Sequence, residues 1–183
     1  MRGVRGRHMI SDAYRAQQEK LHLNPHYGVA SLKFAPLVAK LIAGAGIKTV
    51  LDFGAGKGRL GDGLAEHLPA EAEVGMTRYD PAIPAWSAMP DGRFDLVCCI
   101  DVLEHIEPQY LDDVLDALAS KTGRFGFLTV HTGPAVKVLD DGRNAHLIQK
   151  PPRWWLPKIM ARWQVATYQR MDNGFWVVCD GLL

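Results

Sequence analysis

Long apolar runs are missing from this 183-residue chain: nowhere do about 18 such residues follow one another, so no helical membrane span is expected. Nor does charge of one sign dominate. The 21 Lys and Arg are balanced by 20 Asp and Glu, a net +1, which argues against nonspecific attraction to nucleic acid. Cysteine is scarce, and Cys98, Cys99 and Cys179 leave no paired disulfide framework. Buried, reduced thiols in a cytoplasmic protein are the expectation. Internal repeats and low-complexity segments are also lacking. His8, His22, His26 and His67 are given no metal-ligand role, the cysteines form no C-x-x-C, and no metal is expected. The opening MRGVRGRHM carries arginines without the apolar stretch of a secretory signal, so residues 1–10 read as a basic tail or leader.

What is present suits one domain with one core, 48% of it apolar. A polar segment holds a short helix near Asp12–Leu21. Apolar residues at helical spacing put an amphipathic helix at Ser31–Ala43, with Ser31 as its N-cap and Gly44 and Gly46 as its end. Residues 11–46 thus form a helical cap ahead of a main domain at 47–183. Strands are expected at Lys48–Phe53, Glu73–Tyr79, Phe94–Ile100 and Phe125–Val130, with helices at Arg59–His67 and Tyr110–Ser120 between them. The run FDLVCCI is continuously apolar, as a strand buried on both faces should be. A helix over Trp154–Trp163 and two strands, Gln164–Gln169 and Phe175–Asp180, close the chain around a turn at Asp172-Asn173-Gly174. The alternation predicts an α/β fold: a mostly parallel sheet with helices on both faces, finished by an antiparallel hairpin.

The stretch VLDFGAGKGRLG, Val50 to Gly61, runs from a strand through glycines into a helix. It fails as an ATP-binding P-loop. The first required glycine is Leu51, and the hydroxyl expected after Lys57 is replaced by Gly58. Gly56-Lys-Gly58-Arg-Leu-Gly61 fits the dinucleotide pattern G-x-G-x-x-G, but Gly54 already occupies the strand's end and Asp52 lies two residues before it. A carboxylate there repels a pyrophosphate and suits a ligand bearing an ammonium group.

Asp52-Phe-Gly54-Ala-Gly56-Lys-Gly58 resembles the first motif, D/E-x-G-x-G-x-G, of class I methyltransferases that use S-adenosylmethionine, which has an amino-acid end, a positive sulfonium and no phosphate. Two further signals follow in the order this family leads one to expect. Asp80, 28 residues after Asp52, sits past the second strand, and FDLVCCIDVLEHIEP resembles the fourth strand and the loop after it. Together with DGRNAHLI, these features are similar to small methyltransferase-domain proteins of bacteria and their phages. The resemblance covers roughly residues 47–183. It implies a Rossmann-like fold and S-adenosylmethionine as cofactor. Asp52, Gly54, Gly56, Gly58, Asp80, Asp101 and Tyr27 are then the cofactor-binding residues, with Asp80 on the ribose hydroxyls and the segment around Tyr27 as a lid. One departure stands out: only 13 residues separate Asp80 from Phe94, so the third strand is missing or very short, and no acid is evident for the adenine amino group. Trp86 is a candidate to cover the adenine face.

The resemblance implies methyl transfer to a small-molecule, nucleobase or sugar acceptor by in-line displacement, in which positioning does much of the catalysis. His131, directly after a strand, and His146, in DGRNAHLI, are the catalytic candidates. Lys137, Arg143 and Asn144 also lie within reach, and His105 is assigned to packing or capping. The alternatives are a nucleic-acid methyltransferase and a non-catalytic S-adenosylmethionine-binding protein. The run PPRWWLPKIMARW, rich in tryptophan and basic residues, is the best argument for nucleic acid. Against it, Asp101-Val-Leu-Glu stands where amino-methylating DNA enzymes carry N/D-P-P-Y/F/W.

Overall fold

A computed structural model describes residues 9–25 and 27–181; the expected tail at 1–8, with His8, and His26 lie outside the described residues. The elements run α1 (Asp12–His22), α2 (Ser31–Ala45), β1 (Thr49–Phe53), α3 (Arg59–His67), β2 (Gly75–Tyr79), β3 (Phe94–Cys99), α4 (Leu111–Lys121), β4 (Thr122–His131), α5 (Pro152–Met160), β5 (Gln164–Met171) and β6 (Gly174–Asp180). Six strands form one sheet in the order β2-β1-β3-β4-β6-β5. β2, β1, β3 and β4 are parallel, while β6 runs antiparallel between β4 and β5. From β1 the chain moves outward to β2 and then crosses back to β3 on the other side. The carboxyl end of β1 is therefore the switch point at which ligands bind in open α/β sheets.

Alternation along the strands builds two apolar layers. Val50, Leu96, Cys98 and Phe127 pack against Ala35, Val38 and Ile42 of α2 and Leu60 and Leu64 of α3. Leu51, Val97, Cys99 and Leu128 pack against Val114, Leu115 and Leu118 of α4 and Trp155 and Ile159 of α5. The neighbouring cysteines thus face opposite layers, both fully buried. Trp155 and Trp163 of the basic-aromatic run are core residues, and the Trp155 indole donates to the Lys150 carbonyl at 3.1 Å. That run docks a helix onto the sheet, with these two tryptophans in the core and the half-buried Trp154 ring lying under the Lys158 ammonium.

Several boundaries differ from expectation for local reasons. Ser31 is the first residue of α2, not its cap. Ala30 takes the cap position with no side-chain bond, and Gly46, at φ +61°, ends the helix, which runs past Gly44. β4 begins directly after α4 because the Thr122 hydroxyl bonds back to the Leu118 carbonyl at 2.8 Å while its backbone is already extended. The third strand is missing: between Asp80 and Phe94 the regular structure is one 3-10 turn, Pro84–Trp86. The closing hairpin turns through Asp172-Asn173, with Met171 opposite Gly174. Among the described residues, no helix is long and apolar enough to cross a membrane.

Candidate active site

A cleft, open at its mouth, lies over the carboxyl ends of β1, β2 and β3. Asp52 comes from β1, Asp80 from the residue after β2, and Asp101 from the turn after β3; all three line the cleft, while no Lys or Arg among the described residues does so. Such a wall suits a cationic, hydroxyl-bearing ligand and repels phosphates.

Asp52 is almost wholly buried, and its Oδ2 has no protein partner. Burial pushes its carboxyl up to about 7, against the pull of Arg78, with Asp80 adding to the rise. The glycine turn beside it is dictated by crowding as much as by torsion. Gly54 has φ +76°, and a Cβ there would lie 2.4 Å from the Val102 side chain. Asp80 orders the same turn. One carboxylate oxygen accepts from the Gly56 N–H at 2.8 Å and the other from the Ala82 N–H at 2.9 Å. Its own N–H donates to the Trp86 carbonyl at 3.0 Å, so the 3-10 turn shapes Asp80. The Trp86 ring does not line the cleft as expected for an adenine cover; it lies under the Arg78 guanidinium, 5.6 Å from ring centre to charge. Gly58 also stands away from the cleft wall. Its φ of +73° starts α3, and a Cβ would press within 2.6 Å of Arg78 Nε.

α1 roofs the cleft with Tyr14, Gln18 and His22. Its N-terminus is pinned where the Ser11 N–H and hydroxyl donate to the two Glu107 oxygens at 2.8 and 2.9 Å. Lys20 pairs with Asp140 at 2.6 Å, and Gln17 donates to Asp141 at 2.9 Å. The Lys57 ammonium, on the glycine turn, donates to the carbonyls of Asn24 and Tyr27, tying the roof's trailing loop to the floor. Inside, the Gln18 amide donates to the Tyr14 hydroxyl at 2.6 Å and accepts from the Tyr27 hydroxyl at 3.0 Å. Tyr27 meets the rings of His22 and His105 edge-on.

Asp101 holds a backbone φ of +58°, a strained conformation for a residue with a Cβ, and its N–H donates to the Thr129 hydroxyl at 2.9 Å. His105 lines the cleft beside it, and burial lowers its imidazole to about 4. Neither catalytic candidate lines the cleft itself. His146 lies one ring further out, with its centroid 4.7 Å from that of His105, and His131 is another 4.7 Å contact beyond. Burial lowers the pKa of His146 as well. The His131 N–H donates at 2.6 Å to Glu104, a fully buried acid that burial and the nearby Asp101 carboxylate push well above the usual range. Asn144 is a loop organiser, bonded to Ala135 and to the His146 N–H. Arg143 is paired with Asp141 at the surface, over the Tyr14 ring.

Sequence reasoning missed Tyr14, Gln18 and His22 as cleft residues and gave His105 a packing role. The signal for His105 was its place four residues after Asp101, the acid past the end of β3. The helix residues offered none, because the bonds that set α1 over the cleft come from residue 107 and beyond.

The profile of a family described as a methyltransferase domain matches residues 27–172. No curated protein matches the chain by sequence. Among solved structures, a 1,6-didemethyltoxoflavin-N1-methyltransferase from Burkholderia thailandensis, with S-adenosylhomocysteine bound, is similar at TM-score 0.64 and 17% identity, over 93% of this chain and 90% of that one. Magnesium protoporphyrin IX methyltransferase from Synechocystis PCC 6803 is similar at TM-score 0.54 and 12% identity, over 93% and 95% of the two chains. Mitomycin 7-O-methyltransferase is similar at TM-score 0.65 and 13% identity; this chain covers 61% of its length and 91% of its own. At these identities the structural likeness speaks for the fold.

Proposed function

The chain belongs to the methyltransferase-domain family, and from this premise we propose that it is an S-adenosylmethionine-dependent methyltransferase acting on a small-molecule acceptor. The observation that carries the reading is the cleft wall, with three aspartates and no Lys or Arg at the switch point of the sheet. When bound, S-adenosylmethionine supplies a methyl group on a positively charged sulfur. Asp52, with its unpartnered Oδ2, faces the cationic end of this ligand. Gly54 and Gly56 keep side chains out of its path, and Gly58 sets the turn into α3. Asp80 retains lone pairs beyond its two backbone bonds and accepts from the ribose hydroxyls. Asp101 and Tyr27 flank the ligand from the far wall and from the roof, and α1 excludes water.

His131 and His146 serve the acceptor side, where an imidazole takes a proton from the acceptor or holds its polar group. The names of the three solved enzymes carry toxoflavin, porphyrin and mitomycin, which supports a small molecule over a polymer. The core role of Trp155 and Trp163 points the same way. The three buried free thiols fit a cytoplasmic setting. Methyl-labelled cofactor offered with a panel of small hydroxylated and amino aromatics, and in parallel with RNA and DNA oligomers, tests this. Label is expected in a small molecule; label in the oligomers alone would overturn the acceptor class. His131→Ala and His146→Ala are expected to lower kcat more than cofactor affinity.

A further inference from the structure

We infer that Asp101, His105 and His146 form a binding site for one divalent transition-metal ion of the zinc or cobalt type, with an open position for an oxygen donor of the acceptor. One donor atom from each of the three lies within 4.8 Å of the other two, and no other such trio occurs among the described residues. The tautomers favour the ion. His105 Nδ1 sits 2.8 Å from the Ala145 carbonyl, and His146 Nδ1 sits 2.7 Å from the Gly133 carbonyl. A carbonyl only accepts, so each Nδ1 carries the hydrogen and each neutral ring leaves its Nε2 lone pair free. Metal-binding histidines are oriented by this same outer bond, which fixes the ring and raises ligand basicity.

A second observation is geometric: Glu104, the residue before His105, is fully buried and its Oε2 has no protein partner. The donor set selects the class. Two imidazoles and one carboxylate suit zinc, iron or cobalt, whereas magnesium and calcium prefer oxygen cages. Donors about 2.1 Å from a tetrahedral ion stand roughly 3.4 Å apart, so from separations within 4.8 Å side-chain shifts of up to about 1.4 Å close the set. Three protein ligands leave a fourth position, and Asp101 and His105 line the cleft, so that position opens toward the acceptor. An oxygen held there loses its proton more readily. The site deepens the methyltransferase reading, on which only the acceptor's presence at the fourth position rests; it gives His146 the ion rather than the proton, and Asp101 the ion, leaving Asp52 and Asp80 to the cofactor.

The test is titration of the chelator-stripped, full-length protein with Co²⁺, read by visible absorption and by metal content after dialysis. S-adenosylmethionine binding is measured calorimetrically on the same sample. One Co²⁺ per chain is expected, displaced by Zn²⁺ and not by excess Mg²⁺, with affinity falling by at least roughly tenfold in folded His105→Ala and His146→Ala. A wild-type protein that binds S-adenosylmethionine but no Co²⁺ overturns the metal site and leaves the methyltransferase reading standing. Unchanged Co²⁺ affinity in both variants also overturns it. Failure to bind either probe overturns both readings.

Discussion

Burial keeps about half of Asp52 protonated near pH 7, and a cationic ligand beside it shifts that balance toward the carboxylate. S-adenosylmethionine affinity is therefore expected to rise about tenfold from pH 6 to pH 8, as the ionised fraction grows. Asp52→Asn should bind more weakly and with a flatter profile; calorimetry at both values decides, and a variant as steep as wild type would remove Asp52 from the ligand. Asp80 needs a gentler change than alanine. Its two oxygens satisfy two buried N–H groups, and stranding both costs about 1–3 kcal/mol each. Asp80→Asn keeps one acceptor and is expected to stay folded, by circular dichroism, while losing at least roughly tenfold in cofactor affinity. Unchanged affinity would undo the ribose assignment. These acids were legible in the sequence because each closes a strand, and the first stands beside glycines that no core position needs. The Asp101, His105 and His146 cluster was not. Its members come from two segments about 40 residues apart, and near-neighbour spacing says nothing of contacts made across a fold.

α1 was readable as a polar helix, but its place over the cleft was not, since its anchor lies 96 residues away at Glu107. The Ser11 side chain both caps the helix, accepting from the Tyr14 N–H at 3.2 Å, and donates to Glu107, so one serine sets the start and the seat of the roof. Glu107→Ala is expected to raise hydrogen exchange across residues 11–22 and to speed cofactor release while leaving β1 and β3 protected. Exchange equal to wild type in α1 would mean the roof is held elsewhere. The misplaced N-cap of α2 has a similar cause. Ser31 has the right chemistry, but the preceding Ala30 is already helical, and the tertiary fit of Ala35 and Val38 sets the helix start.

Over the whole molecule, opposed titrations shape stability. His105 has a lowered folded pKa, so the unfolded chain binds more protons between about 4 and 6.5, and this contribution is lost as pH falls. Asp52 has a folded pKa raised to about 7 from an ordinary 3.8, so the folded chain binds more protons in that window and stability is lost as pH rises. The two partly cancel. From pH 7 to pH 5, Asp52 protonation adds about 2 kcal/mol to the wild type. Asp52→Asn lacks that gain, so its Tm is expected to drop further than the wild type's over this range, by roughly 5 °C. Equal drops would show that Asp52 titrates normally. The layered sheet itself was largely legible, because strand and helix periods alternate along the chain and FDLVCCI announces a central strand buried on both faces.

The central claim is that an acidic wall, with Asp52 and Asp80 at its centre, selects a cationic cofactor at a glycine turn that could pass for a phosphate loop. Calorimetric titration of the full-length protein with S-adenosylmethionine, NADH and ATP in parallel tests it most directly. One-to-one binding of S-adenosylmethionine, with neither phosphate ligand bound, is the predicted result. Binding of NADH or ATP at the same site, with S-adenosylmethionine rejected, would contradict it.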